Sequence, residues 1–260
     1  MSTATTYAIR PIVQDDDLHV WRHHGTGSRL LVSFSGIGRD PNAVPGYEFA
    51  RGATGGGEVH TLFISDPKRT WLNGDGLIDR IVHIIEDTAR EIGATEVCTL
   101  GHSMGGYSAA VISGFTRVDV AICLSPQASV HPDVAPDEKR WGAFRTQIDT
   151  HRIRSVRDHL HAETLYYVFF GQHGREAPQR DRFPLEANIK FFVMPRTVHN
   201  TPQRMKGQGI LDDIILIACQ KRTRLIRRLL KARLNARQIT KPTEAMLART
   251  HEYNAASAAA

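Results

Sequence analysis

Cysteine is scarce in this sequence, three residues in 260. Cys98, Cys123 and Cys219 each sit alone in an apolar stretch, a spacing that suits neither a disulfide framework nor a zinc site and implies buried thiols in a reducing cytoplasm. No run of about 18 apolar residues occurs, so no bilayer-spanning helix is expected. The opening Met1-Ser2-Thr3-Ala4-Thr5-Thr6 has no basic stretch followed by an apolar core, so no secretory signal is read and the expected localisation is cytoplasmic. His-Glu-x-x-His and Cys-x-x-Cys patterns are both missing. The clusters His19, His23, His24 and His151, His159, His161 therefore read as loop or helix surface, with no metal and no cofactor expected. The glycine-rich run from Gly52 to Gly57 lacks the Gly-Lys-Ser/Thr ending of a phosphate-binding loop and reads as a surface loop.

A uniform positive charge is missing too. The formal net charge is +6, yet between Arg204 and Lys241 there are eleven Lys and Arg against Asp212 and Asp213, which leaves 22 basic and 25 acidic residues elsewhere. The body is slightly acidic, so no nucleic-acid partner is implied. A chain of 260 residues accommodates one α/β domain with a sizeable core and a tail.

What is present is punctuated. Apolar, β-like runs occur at 7–13, 18–23, 29–35, 59–65, 96–100, 118–124, 165–170 and 189–194. Ile78, Ile81, Val82, Ile85, Ala89 and Ile92 recur at helical spacing, with Gly93 as the stop. Strands alternating with helical stretches imply a mostly parallel central sheet with helices on both faces.

The motif that carries chemistry is Gly101-His102-Ser103-Met104-Gly105-Gly106. It follows a strand and precedes the small-residue run Tyr107-Ser108-Ala109-Ala110. Ser103 then falls on a tight strand-to-helix turn, where glycine two residues before and after lets the backbones approach. The hexapeptide resembles the nucleophile elbow of the α/β-hydrolase superfamily, and the order of elements is similar over about residues 25–235.

That resemblance implies a serine nucleophile with a histidine base and an acid, needing no cofactor. Ser103 is the nucleophile. His199 follows the last strand on a short loop and precedes Thr201-Pro202, a helix start with Thr201 as N-cap; this is where the family carries its histidine. The acid belongs on the loop after the strand at 165–170. Gly174 stands where the family usually has Asp, leaving Glu176 and Asp181. A helix must fit before the next strand, which favours Glu176, with Asp181 capping that helix or pairing with Arg182. The oxyanion donors carried over are the backbone N–H groups of Met104 and Ile37, the latter in Phe34-Ser35-Gly36-Ile37-Gly38, which resembles the family's His-Gly-x-Gly turn. Asp66 and Trp71 in the loop after residues 59–65 place charge beside an aromatic and are candidates for holding a polar substrate. This loop and Phe34-Ser35-Gly36 are faintly similar to hydrolase-fold proteins linked to bacterial surface polysaccharides and carbohydrate acyl transfer.

The organisation expected is a hydrolase core over 1–203, in which 126–163 suits either a minimal helical cap or a plain crossover, a C-terminal helix over 204–241, and a flexible tail over 242–260. Leu225, Ile226, Leu229, Leu230 and Leu234 recur at helical spacing among Arg222, Arg224, Arg227, Arg228, Lys231, Arg233 and Arg237. This amphipathic helix reads as core packing with a solvated basic face, or as a dock for an anionic membrane surface or acidic partner. The function read is a serine hydrolase cleaving a carboxylic ester, such as an acyl group on a carbohydrate. Acyl transfer to a carbohydrate or other alcohol, and a non-catalytic binding or assembly role, are the alternatives.

Overall fold

A computed structural model of the protein describes residues 8–258. Strands β1 (Ile9–Gln14), β2 (His19–His23), β3 (Arg29–Phe34), β4 (His60–Ser65), β5 (Glu96–His102), β6 (Val120–Leu124), β7 (Leu165–Gly171), β8 (Ile189–Met194) and β9 (Arg237–Ile239) form one sheet in the order β1-β2-β4-β3-β5-β6-β7-β8-β9. The six central strands, β3 to β8, are mutually parallel. β1 and β9 are the edge strands, and the pairings β1–β2, β2–β4 and β8–β9 are antiparallel. Helices α1 (Ala50–Ala53), α2 (Leu77–Glu91), α3 (Met104–Val111), α4 (Gly142–Arg145), α5 (Ala177–Arg180), α6 (Thr201–Gly207), α7 (Leu211–Cys219), α8 (Thr223–Leu234) and α9 (Glu244–Ala258) complete the chain.

The period-two alternation of the strands divides the core into two layers. Leu30, Val32 and Phe34 of β3 point into one cluster with Leu77, Ile81 and Ile85 of α2 and with α3. Leu31 points into the other with Ala53, Met205, Ile214, Ile215, Ile226 and Leu230. Because both faces are covered, the central strands read as nearly continuous apolar runs. Among the described residues, no helix is long and apolar enough to cross a membrane.

Between β6 and β7, where the sequence leaves a minimal helical cap or a plain crossover open, the chain carries the single-turn α4, a 3-10 turn at Val156–His159 and otherwise irregular loop. Two elements differ from the sequence reading. The expected single C-terminal helix is three helices, interrupted where Gly209 (φ 67) and Lys221 (φ 57) adopt left-handed backbone, and followed by β9. The apolar stripe of α8 is nonetheless where periodicity put it, with Ile226, Leu230 and Leu234 buried.

The stretch from residue 242, expected to be a flexible tail, contains α9 over most of its length. It docks through one buried apolar anchor, Met246, and otherwise through polar contacts. Arg249 Nη2 donates to Asp137 Oδ2 at 2.8 Å, the Tyr253 hydroxyl donates to Asp158 at 2.6 Å, and Arg157 Nη2 donates to Thr250 Oγ1 at 3.1 Å. A helix held this way shows little apolar periodicity, which is why the sequence pattern does not reveal it. Met246→Ala is expected to lower the unfolding free energy by roughly 2 kcal/mol in urea titration, and Leu247→Ala, 47% exposed, to stay within about 0.5 kcal/mol. Equal, negligible effects would return this segment to a tail.

Candidate active site

The site is built around Ser103, which sits between β5 and α3 at φ 58, ψ −121. No L-residue adopts that backbone without strain, so packing must hold it there. A Cβ on Gly101 would overlap the backbone of Gly105, and one on Gly105 would overlap the carbonyl of Phe34. The glycines therefore let α3 start directly against β5 and β3. Ser103 N–H donates to Leu124 O (3.0 Å) and its carbonyl accepts from Tyr107 N–H (3.0 Å), fixing the turn from both sides. Met104 begins α3, so its N–H is one of the amides the helix itself leaves without a partner.

His199 lies on the loop between β8 and α6. The helix opens one residue earlier than the sequence suggests: Asn200 is its N-cap and Thr201 is already helical. The Thr201 hydroxyl instead lies 3.0 Å from the Ser125 hydroxyl. The backbone carbonyl of His199 accepts from Nε2 of His102 at 2.8 Å, and the two rings stand 4.8 Å apart, so the residue preceding Ser103 locks the His199 loop against the turn.

His199 Nδ1 is 3.2 Å from Oε2 of Glu176, whose side chain is 1% exposed. Burial would raise this carboxyl, but the hydrogen bond and charge of His199 and the guanidinium of Arg140 outweigh it and hold the group below its ordinary range. Glu176 is thus an acceptor, and Nδ1 carries the proton between them. The 3.5 Å approach of Arg140 Nη1 to Nδ1 is then a contact of two donors. The other ring nitrogen, Nε2, is buried and has no hydrogen-bond partner among the described residues, Ser103 Oγ included. Asp181 is placed elsewhere: it pairs with Arg180 at 2.8 and 3.1 Å, while Arg182 pairs with Asp137.

The turn after β3 is pinned along its length. Ser35 Oγ donates to Gly46 O at 2.9 Å, and Gly36 N–H donates to Glu48 Oε2 at 3.3 Å. Burial raises the Glu48 carboxyl. Ile37 O accepts from Arg69 Nε at 2.8 Å. Arg69, 5% exposed, spends its remaining donors on the carbonyls of Pro67, Asp40 and Ala43.

Asp66 and Trp71 are not open to a substrate, being 8% and 0% exposed. Asp66 Oδ2 accepts from Thr70 Oγ1 at 2.8 Å and from the Thr70 N–H, shaping the turn beneath the site. Trp71 Nε1–H donates to Gln127 Oε1 at 3.1 Å, and Gln127 Nε2 donates to Ser103 Oγ at 3.1 Å. Their charge and aromaticity face inward, as support.

Sequence reasoning missed the residues supplied by the segment between β6 and β7. Gln127 reaches Ser103, and Arg140 bridges Glu138 and Glu176. Trp141 stacks under the Arg140 guanidinium (4.3 Å) and tilts against His199 at 5.2 Å between ring centres. This segment has no periodic pattern; its only clue is Trp141 among charged residues. His102 was in the motif itself, with nothing to indicate that it reaches His199.

The central parallel sheet with helices on both faces is the α/β-hydrolase fold. No protein-family model and no curated protein matches the sequence. Among solved structures, the chain is similar to a capsule O-acetyltransferase of Neisseria meningitidis serogroup A (TM-score 0.55, 12% identity, 78% of this chain and 92% of that one). It is also similar to the Pyrococcus furiosus esterase Pf2001 (0.50, 14%, 84% and 92%). A third likeness is to a chain of the glycosylation-associated Gap123 complex of Streptococcus agalactiae (0.55, 14%, 86% of this chain). The present chain spans 46% of that last one.

Burial, and secondarily the charge of His199, push the His102 imidazole down to about 4. A histidine whose folded pKa lies below its unfolded value of about 6.5 makes the folded state less favourable as pH falls, with the loss developing between those two values. Stability should therefore drop by up to about 3 kcal/mol between pH 6.5 and pH 4 from this group alone. Chemical denaturation of wild type and His102→Gln over this range is expected to show the steeper pH dependence in wild type; parallel curves would contradict it.

Proposed function

We propose that the protein is a serine-dependent enzyme acting on carboxylic esters, including acyl groups carried by carbohydrates, through an acyl-Ser103 intermediate. The observation that carries this reading is the strained Ser103 turn, φ 58 and ψ −121, tied through its neighbour His102 to the loop of His199, a histidine oriented by a buried carboxylate at 3.2 Å. Such strain persists only where the surrounding structure enforces it.

In this reading, His199 Nε2 takes the Ser103 hydroxyl proton as Oγ attacks the ester carbon, and the carbonyl electron pair moves onto oxygen. The backbone N–H groups of Met104 and Ile37 are the proposed donors to that oxyanion. Glu176 stabilises the imidazolium and keeps Nδ1 protonated. The proton then passes from Nε2 to the departing alkoxide, and the acyl-serine is resolved by water or by an alcohol. Hydrolysis and transfer to a carbohydrate hydroxyl differ only in that last acceptor. The esterase and O-acetyltransferase among the similar structures support both outcomes; the glycosylation-associated chain supports the binding or assembly alternative. A reducing cytoplasm suits the three free, buried thiols.

The test is labelling of Ser103 by a fluorophosphonate, with a screen of short-chain aryl and sugar esters. Ser103→Ala is expected to abolish labelling and lower kcat by at least about 10⁴-fold without unfolding the protein. Turnover of a simple ester by that variant would end the reading. Glu176→Gln is expected to cost far more activity than Asp181→Asn, because a neutral amide neither stabilises the imidazolium nor fixes its tautomer. The reverse ranking would transfer the role to Asp181.

A partner surface belongs to the same proposal. With its leucines and isoleucine turned into the core, α8 exposes Arg224, Arg227, Arg228, Lys231 and Arg233. None of these four arginines pairs with a carboxylate among the described residues, whereas Arg22, Arg29, Arg80 and Arg140 all do. An unneutralised row of this kind suits an anionic membrane surface, at about 1 kcal/mol per basic residue. Sedimentation with anionic vesicles is expected to weaken with salt and on charge reversal of Arg227 and Arg228; binding that ignores both would remove the membrane from the proposal.

A further inference from the structure

Gln127 lies in the loop after β6, fully buried, between the indole of Trp71 and the hydroxyl of Ser103. Which way its carboxamide points is decided by chemistry. An indole N–H only donates, so the oxygen of Gln127 must face Trp71 at 3.1 Å, and the NH₂ must face Ser103 Oγ, also at 3.1 Å. Trp71 in turn cannot readily move. It is 0% exposed and sits in a run of left-handed backbone, with Arg69 at φ 55, Trp71 at φ 51 and Leu72 at φ 63. Asn73 Nδ2 donates to the carbonyls of Thr70 and Trp71, and Asp66 holds Thr70. The orientation of one amide is thus set by a buried, strained turn two contacts away from the serine.

We infer that Gln127 is a catalytic residue of the Ser103 site: a fixed hydrogen-bond donor to Oγ itself, separate from the donors to the carbonyl oxygen. The inference rests on the reading of Ser103 as nucleophile. The donated bond uses a lone pair of Oγ and leaves the hydroxyl proton free for His199 Nε2, which is buried and unpartnered among the described residues. As the O–H bond breaks and the Oγ–carbon bond forms, Oγ passes through an alkoxide-like stage, and a donor already in place stabilises that charge more than it stabilises the neutral hydroxyl. The same donor stabilises Oγ when it departs from the tetrahedral intermediate of deacylation. Gln127 itself gives up no proton in either step. An isosteric apolar side chain at this position would fill the space and remove the donor.

The test is the inactivation kinetics of the full chain with a fluorophosphonate, separating the maximal rate kinact from the reversible constant KI. Gln127→Met is expected to lower kinact about 100-fold with KI unchanged and the folded near-UV spectrum retained. Trp71→Phe, which removes the indole donor and lets the amide turn over, is expected to lower kinact about 10-fold, a partial form of the same loss. A change confined to KI, or an unchanged kinact in the folded variant, would overturn the inference while leaving Ser103 as nucleophile. Should Gln127→Met fail to fold, kinact of Trp71→Phe decides in the same way. If folded wild type is not labelled at Ser103 at all, the reading of the site as a serine enzyme fails, and the inference falls with it.

Discussion

The rest of the molecule depends on how closely α3 approaches β5 and β3. That approach is steric: there is no room for a side chain at 101 or 105, so α3 begins directly against the sheet and Ser103 is left in a backbone region it would not otherwise occupy. Strain at one residue costs on the order of 1–3 kcal/mol. The buried apolar contacts of α3, every residue of which is buried, offset it many times over. The turn is therefore held by the core, and Gln127 Nε2 is the side-chain donor that meets the hydroxyl at its end.

Around that fixed point, three strands deliver the other groups from their carboxyl ends. β3 leads into the turn pinned by Arg69, β7 leads to Glu176, and β8 leads to His199. Two of the buried charges are answered in different ways. Arg140 lies between Glu138 and Glu176, so the carboxylate that orients His199 is itself restrained at its second oxygen. Arg69 has no carboxylate in direct contact among the described residues and donates to main-chain carbonyls instead, which ties its charge to the shape of a loop.

Much of this was legible in the sequence, for identifiable reasons. Strands covered on both faces announce themselves as apolar runs, and the spacing of glycines around Ser103 encodes a steric requirement that any reader of the chain can test. His199 and Glu176 were placed by chain order, each on the loop after a recognisable strand. Gln127, Arg140 and Trp141 were not, because they come from a segment whose conformation is set by contacts far away in the chain. Gln127 meets Trp71 across 56 positions, and nothing local distinguishes it from any loop glutamine. Asp66 and Trp71 were found but turned the wrong way: composition reveals that a charge and an aromatic are adjacent, and not which of them faces solvent.

The docking of α9 also orders the molecule in time. Its partners Asp137, Arg157 and Asp158 all lie earlier in the chain, within the segment that also supplies Gln127 and Arg140. During vectorial synthesis the sheet, the serine turn and the His199 loop can all form while that segment is still unclamped. α9 emerges after all of them, so the helix that clamps this segment is made later than the core against which the segment lies.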